Sequence, residues 1–236
     1  MAKKKKKKTR LKLKNIFICL LVLSLLGLTG YYILMLPINN IYIKGNNIIK
    51  ESEILTLAKL DTYPSFLLTS KKEIKNNLKK NKYIESINIK KQLGNIITIE
   101  IKEQQPLCIL KSGKILLSNG TKLNNDYGLT DIPNLVNDDY DKKIENDFIK
   151  KFSKVDKNVL RQISQIEYSK TSVDNERFLL YMDDGNEVYI TLTKIEKINK
   201  YNEIVEKMDG SHGIIYLDSG DYIEIKNITE YVTSTE

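Results

Sequence analysis

Few residues of this sequence have the types and spacing that catalysis requires. The single histidine, His212, lies between glycines in Gly210-Ser211-His212-Gly213. One histidine forms neither a metal cluster nor a triad unless orienting partners stand beside it, and the sequence indicates none. No serine after residue 36 has a lysine three positions later, the arrangement found in penicillin-binding enzymes. We therefore predict that His212 is a solvated turn residue and that the chain has no catalytic residues.

The cysteines and paired acids have equally simple interpretations. Cys108 is flanked by leucine and isoleucine and has no activating partner, so it is predicted to be a small buried strand residue, while Cys19 lies in an apolar run. Asp138-Asp139 and Asp183-Asp184 could serve a glycosidase, which needs two carboxylates about 5 to 9.5 Å apart. They stand in turn-like stretches, which favours solvated loop acids. Nucleotide-type glycine loops and calcium loops are absent, so we predict no cofactor and no metal.

The charge of the chain is concentrated at one end. The 236 residues include 38 Lys+Arg and 30 Asp+Glu, for a net charge of +8. Nine of the basic residues lie in residues 1–14, which leaves 29 basic against 30 acidic residues for the rest. A nucleic-acid binder spreads its basic residues over one face of a folded domain. The composition therefore argues against nucleic acid as a partner.

An uncharged apolar segment follows the basic tail. Ile16 to Leu36 would span about 31 Å as a helix, the thickness of a bilayer core. A cleaved signal peptide usually has an apolar region of about 7 to 15 residues and a small-x-small site, which this segment lacks. We predict a retained transmembrane helix at residues 15–36, with the lipid bilayer as a partner. The positive-inside rule places residues 1–14 in the cytoplasm and everything from Pro37 onward outside.

The next part of the sequence alternates between strand and helix patterns. A β-type run, Ile38 to Lys44, ends at a Gly-Asn-Asn turn. Two short amphipathic helices follow, and Ser70 with Glu73 has the spacing of a capping box at the start of the second. Isoleucines that alternate with polar residues between Ile87 and Ile101 predict a hairpin. The expected order is strand, helix, helix, strand, strand over residues 38–104.

After a boundary near Glu103 to Pro106, hairpin patterns dominate residues 105–228. We expect three hairpins in one antiparallel sheet: Lys114 to Leu123, Phe178 to Leu192 and Ile214 to Ile225. Two amphipathic helices should cover one face of the sheet; their apolar residues are Ile144, Phe148, Phe152 and Val155 in the first, and Ile195, Ile198, Val205 and Met208 in the second. Residues 229–236 are expected to be a frayed tail. The predicted fold class is α+β.

Several segments, taken in order, resemble the FtsQ/DivIB family of bacterial division proteins, and the resemblance covers nearly the whole chain. It implies that residues 38–104 form an FtsQ-type POTRA domain and residues 105–228 the family's β domain. The segments that carry it are IYIKGNN at Ile41 to Asn47, Tyr83 to Pro106, ILLSNGTKL at Ile115 to Leu123, DIPNLV at Asp131 to Val136, Leu179 to Leu192, and IIYLDSGDYIEI at Ile214 to Ile225.

The resemblance implies a non-enzymatic divisome scaffold. Its outer domains would bind FtsL and DivIC/FtsB-like membrane proteins by β-augmentation and help regulate septal peptidoglycan synthesis, with peptidoglycan synthases as further partners and the division septum as its location. Alignment on Asp218-Ser219-Gly220 places the family's aromatic contacts at positions that are not aromatic here, although tyrosines lie nearby. The predicted partner-binding residues are Tyr216, Leu217, Tyr222, Ile223 and Ile225.

Other interpretations remain open at this point. The apolar members of the predicted site could belong to the core instead of a partner surface. A membrane-anchored cell-wall enzyme would need a nucleophile or acid pair that the sequence does not indicate. A receptor would need a larger cytoplasmic part than 14 mostly basic residues, so any signal would pass through other membrane proteins.

Overall fold

The computed structural model describes residues 13–226, which divide into two compact units between Lys102 and Glu103. The expectations for residues 1–12 of the basic tail and for the frayed C-terminal tail lie outside the described residues.

The first unit begins with an apolar helix, α1 (Leu13–Leu34), which has no buried residue. It is long and apolar enough to cross a membrane. The helix ends two residues before the predicted limit at Leu36. Leu36 precedes Pro37, and a residue before proline disfavours helical backbone.

The rest of the first unit has the predicted order of strand, helix, helix, strand, strand. Its sheet has the order β1-β3-β2, in which β1 runs parallel to β3. The elements are β1 (Asn40–Lys44), α2 (Glu51–Ala58), α3 (Lys71–Leu78), β2 (Ile84–Gln92) and β3 (Ile96–Glu103).

Apolar periodicity explains how this unit packs. Ile54 and Ala58 on α2 are buried, as are Ile74 and Leu78 on α3, because residues four apart share one helix face. The alternating isoleucines of β3 are buried too. The expected capping box is not formed. Ser70 precedes α3 in extended conformation, but its hydroxyl makes no bond to the helix.

The second unit is built on one nine-stranded sheet of order β12-β11-β10-β9-β8-β7-β4-β5-β6. Its elements are β4 (Pro106–Ile109), β5 (Ile115–Leu117), β6 (Lys122–Leu123), β7 (Asn134–Leu135), α4 (Lys142–Phe152), α5 (Lys157–Leu160), β8 (Ile163–Tyr168), β9 (Arg177–Met182), β10 (Glu187–Thr191), a 3-10 helix (Leu192–Lys200), α6 (Tyr201–Lys207), β11 (Gly213–Tyr216) and β12 (Tyr222–Ile225).

The sheet is mixed, whereas an antiparallel sheet was expected. The three predicted hairpins are present and antiparallel: β5–β6, β9–β10 and β11–β12. Between them, β10 pairs with β11, β4 with β7, and β7 with β8 in parallel. The chain from β10 to β11 passes through helices before it returns, and such a crossover brings two strands together in parallel.

Helices bury the apolar residues of this sheet. Ile144, Phe148 and Phe152 on α4 are buried, and the Asp141 carboxylate caps the helix by accepting the Ile144 N–H at 2.9 Å. Val155 is buried beyond the end of α4. The second predicted helix is instead a 3-10 helix followed by α6. The α+β class is confirmed.

Candidate partner-binding site

β12 is an edge strand of the nine-stranded sheet. It pairs with β11, and among residues 13–226 no other strand pairs with it. All four of its residues are exposed. An exposed edge presents backbone N–H and C=O groups that a further strand can use, and this is the chemistry of β-augmentation.

The register of the last hairpin separates the predicted site residues onto two faces. Tyr216 lies opposite Tyr222, and Ile215 lies opposite Ile223. Successive strand residues point to opposite faces, so Tyr222 projects on one face and Ile223 and Ile225 project on the other. The predicted residues therefore flank the β12 edge on both sides instead of forming one surface.

On one face, three tyrosines form a continuous stack, which we call the tyrosine ladder (Tyr189, Tyr216 and Tyr222). Ring centroids are 5.4 Å apart for Tyr189–Tyr216 and 4.4 Å apart for Tyr216–Tyr222. The Arg177 guanidinium lies 3.8 Å from the centroid of Tyr189 and closes the inner end by a cation–π contact. The outer end is Tyr222, which is 51% exposed. The ladder thus stops at the sheet edge.

On the other face, β12 borders a groove of about 570 Å³ beside α6. Its apolar lining includes Ile204, Ile215 and Ile223, and lysines 197, 200 and 207 also line it. The Lys197 ammonium bonds the Asp221 carboxylate at 2.6 Å, which ties the 3-10 helix to the last hairpin turn.

Leu217 is a correction to the predicted contact set. Its side chain is only 5% exposed and belongs to the hydrophobic core of the second unit. Leu217 continues the side of β11 on which Ile215 is buried, so it points toward the covering helices. It lines the groove from the core side, so it is not an exposed contact on the strand edge.

A partly buried ion pair holds the turn between β11 and β12. The Arg177 Nε–H donates to the Asp218 carboxylate at 2.7 Å, and their side chains are 17% and 9% exposed. Burial raises the pKa of Asp218, but hydrogen bonds from Arg177 and Ser219 outweigh burial, so the pKa lies below its usual range. Asp218 is therefore a charged group that connects β9 to the hairpin turn.

We expect Asp218→Asn to lower the free energy of unfolding by about 2 kcal/mol at pH 7, since it leaves Arg177 without its counter-charge. Because the folded pKa is depressed, this stabilisation is present above the unfolded value of about 3.9 and is lost as pH falls through the folded value. Urea unfolding in a pH series from neutral into acid measures both the loss at pH 7 and its disappearance as Asp218 becomes protonated. Asp139→Asn, an exposed control, should change little. A D218N deficit that persists unchanged in acid would contradict the charge argument.

A buried polar network fixes the start of β11. The Asn186 side chain, 1% exposed, accepts the Gly213 N–H at 2.8 Å and donates to the Tyr201 hydroxyl at 3.0 Å. Tyr201 donates in turn to the Asp184 carboxylate at 2.7 Å. Asp184 is an exposed turn residue, as predicted, and its carboxylate also accepts a hydrogen bond in this network. The network pins β11 in register beside β10.

His212 and Cys108, two residues considered for catalysis, lie on different strands or turns of the second unit. His212 is exposed, and its backbone carbonyl accepts the Lys226 N–H at 2.9 Å. Cys108 is buried in β4 as predicted, and burial raises the pKa of its thiol to about 12, so it stays protonated. Within residues 13–226, no group of three or more His, Cys, Asp or Glu side chains could hold a metal ion.

Sequence patterns missed Arg177, Asn186 and Tyr189, which organise the edge. None of them stands in a periodic or motif-like arrangement with the last hairpin. Their contacts arise from the pairing of β9, β10 and β11, so linear spacing carried no signal for them. Gly213 was recognisable in the sequence only as a neighbour of His212.

Comparisons with known proteins agree with this architecture. The model of the FtsQ-type POTRA domain matches residues 36–104, and that of the cell division protein FtsQ/DivIB C-terminal region matches residues 101–225. DivIB of Staphylococcus aureus is 32% identical over 70% of this chain, which covers 38% of that relative's length. DivIB of Bacillus anthracis is 28% identical over 93% of this chain and 85% of the relative.

A solved structure is also similar. The major extracytoplasmic domain of DivIB from Geobacillus stearothermophilus is 24% identical, with a TM-score of 0.38, over 46% of this chain and 96% of that one.

An apolar helix long enough to span a membrane, a POTRA unit and a β-rich unit in this order fit the class of single-pass membrane proteins of bacterial cell division. The C-terminal family match alone covers more than half of the chain, and the relatives are division proteins. This chain belongs to the FtsQ/DivIB family, and its relatives support a role in septation.

Proposed function

We propose that this chain is a non-enzymatic scaffold of the divisome that binds FtsL and DivIC/FtsB-like proteins and thereby helps regulate septal peptidoglycan synthesis. The observation that carries the proposal is the exposed edge strand β12, with an aromatic ring on one face and apolar residues on the other. Peptidoglycan synthases would be engaged through this assembly.

The binding mechanism is addition of one partner strand along β12. Main-chain hydrogen bonds supply affinity, and side chains on alternate faces supply specificity. One set of partner side chains would meet Tyr222 at the end of the tyrosine ladder. The other set would meet Ile223 and Ile225 beside the groove, which is lined by three lysines and three acidic residues as well as apolar side chains.

The proposed topology places the basic tail in the cytoplasm and everything from Pro37 onward outside, at the septum. Nine basic residues within residues 1–14 and few soon after Leu36 support this orientation. A fluorescent fusion on the N-terminus tests the location: septal enrichment is expected, and a uniform membrane distribution would contradict the proposal.

We predict that Tyr222→Asp or Ile225→Asp weakens binding of a DivIC/FtsB-like ectodomain more than tenfold without unfolding the chain. Each change puts a charge at an exposed position where the added strand must exclude water. Pull-down by the full-length chain in detergent measures binding, and circular dichroism checks the fold.

Tyr42→Asp is the matched control, because Tyr42 is also 51% exposed and lies on β1, an edge strand of the other sheet. It should retain full binding. If the two β12 variants fold and are pulled down as well as the Tyr42 variant, β12 is not the docking strand.

A further inference from the structure

The segment that follows α1 is bound closely to a loop of the first unit. The Phe66 N–H donates to the Leu36 carbonyl at 2.9 Å, and the Ile38 N–H donates to the Pro64 carbonyl at 3.0 Å. The Ser65 hydroxyl donates to the carbonyl of Leu34, the last residue of α1. This loop is thus attached to the end of the membrane-length helix.

The turn between β2 and β3 lies at the same end of the unit. The Asn39 N–H donates to the Asn95 carbonyl at 2.9 Å, and the Asn95 side chain donates to the Pro37 carbonyl at 3.1 Å. Pro37 is three positions after Leu34, a reach of about 10 Å at most. If α1 spans a bilayer, both the loop and the turn must lie near its surface.

These two segments expose large apolar side chains, which we call the membrane rim: Tyr63, Leu67, Leu68 and Leu93. Their exposed fractions are 46%, 51%, 57% and 98%. Burying one such side chain fully is favourable by about 1.5 to 3 kcal/mol, so their exposure to water at one end of the unit is unfavourable. A lipid interface beside α1 would remove that cost.

Basic groups surround the rim. The Lys91 ammonium donates to the Phe66 carbonyl and to the Thr69 carbonyl at 2.9 Å, and it lies 4.4 Å from the centroid of the Phe66 ring. Lys71 and Lys72 begin α3 directly after the loop, where positive charge opposes the helix dipole. Anionic headgroups would offset this unfavourable placement.

We propose that the membrane rim docks into the headgroup region of the leaflet in which α1 ends, so that the first unit rests on the bilayer surface. Burial of the exposed apolar side chains in the interface drives docking, and Lys71 and Lys72 add attraction to anionic lipid. Lys91 positions the loop by holding two of its carbonyls.

The chain contains no tryptophan, so one introduced tryptophan reports on its own surroundings. The test uses the full-length chain in vesicles of phosphatidylcholine and phosphatidylglycerol, with and without brominated acyl chains. Leu67→Trp and Leu93→Trp should each show blue-shifted emission and quenching by the brominated lipid. Position 93 is almost fully exposed, so its substitution leaves the fold intact.

Two further variants complete the test. Leu23→Trp, within α1, must be quenched, which shows that the helix is in the bilayer. Lys44→Trp lies about 13 Å along β1 from Asn40 and should emit as in water. Solvent-like emission of both rim variants beside a quenched Leu23 variant would overturn the proposal, as would equal quenching at Lys44. Neither outcome depends on partner binding at β12.

Discussion

Gly45→Ala is expected to lower the free energy of unfolding of the first unit by about 4 kcal/mol. Gly45 follows β1 with a φ of +83°, and a Cβ there would lie 2.1 Å from the Ile101 carbonyl oxygen on β3. The left-handed backbone conformation and the overlap of the Cβ with the Ile101 carbonyl oxygen each lower the stability separately. Because the obstructing atom is backbone in the centre strand of the sheet, relief requires β1 and β3 to move apart.

Gly94→Ala separates these two costs. Its φ of +82° is nearly the same, but a Cβ there would meet only the Ile96 side chain at 3.8 Å, an ordinary contact. We expect Gly94→Ala to lower the free energy of unfolding by about 1 kcal/mol, from the backbone conformation alone. Urea unfolding, with hydrogen exchange of the β1 and β3 amides, measures both. Equal losses in the two variants would show that the overlap at Gly45 is relieved without cost.

Gly213→Ala is expected to displace β12 and abolish partner binding, with a loss of about 3 kcal/mol in stability. A Cβ at this position would lie 2.2 Å from the Glu224 carbonyl oxygen and 3.1 Å from the Ile225 Cα. The Gly213 N–H is also held by Asn186, so β11 cannot retreat. β12 must therefore move, and the edge to which a partner strand would add is then lost.

Gly210→Ala is the control for this change. It shares the same loop and has a φ of +78°, but nothing lies within 4 Å of a Cβ there. It should lose some stability while β12 and partner binding persist. Hydrogen exchange should be faster at residues 222–225 in the Gly213 variant alone. Full pull-down by a Gly213 variant with a displaced β12 would exclude this strand as the docking site.

Local patterns predicted much of the fold correctly. The helix face of Ile74 and Leu78 follows from their spacing of four, and the buried side of β3 follows from strict alternation. The three hairpins were visible from their Gly-containing turns. These features depend on residues that are near one another in sequence, so short-range stereochemistry determines them.

Long-range pairing could not be predicted in the same way. Nothing in the sequence shows that β11 returns parallel to β10, yet this pairing stacks Tyr189 on Tyr216 and buries Leu217. The hydroxyl of Ser70 likewise had the spacing of a cap but makes no such bond. The candidate edge was predicted from the family resemblance. That its side chains lie on two opposite faces follows only from the register between β11 and β12.

The strand order of the second unit limits the number of partner strands that its sheet can accept. Within the described residues, the sheet ends in β12 on one side and in the two-residue β6 on the other, where Lys122 pairs with Glu145 at 2.6 Å. β6 is too short to template a strand, so within the described residues this sheet offers one strand acceptor. Two strand-donating partners would compete for it. Under the proposed binding mechanism, FtsL and a DivIC/FtsB-like protein would be held together at this sheet only if one donates the strand and the other is recruited through that donor.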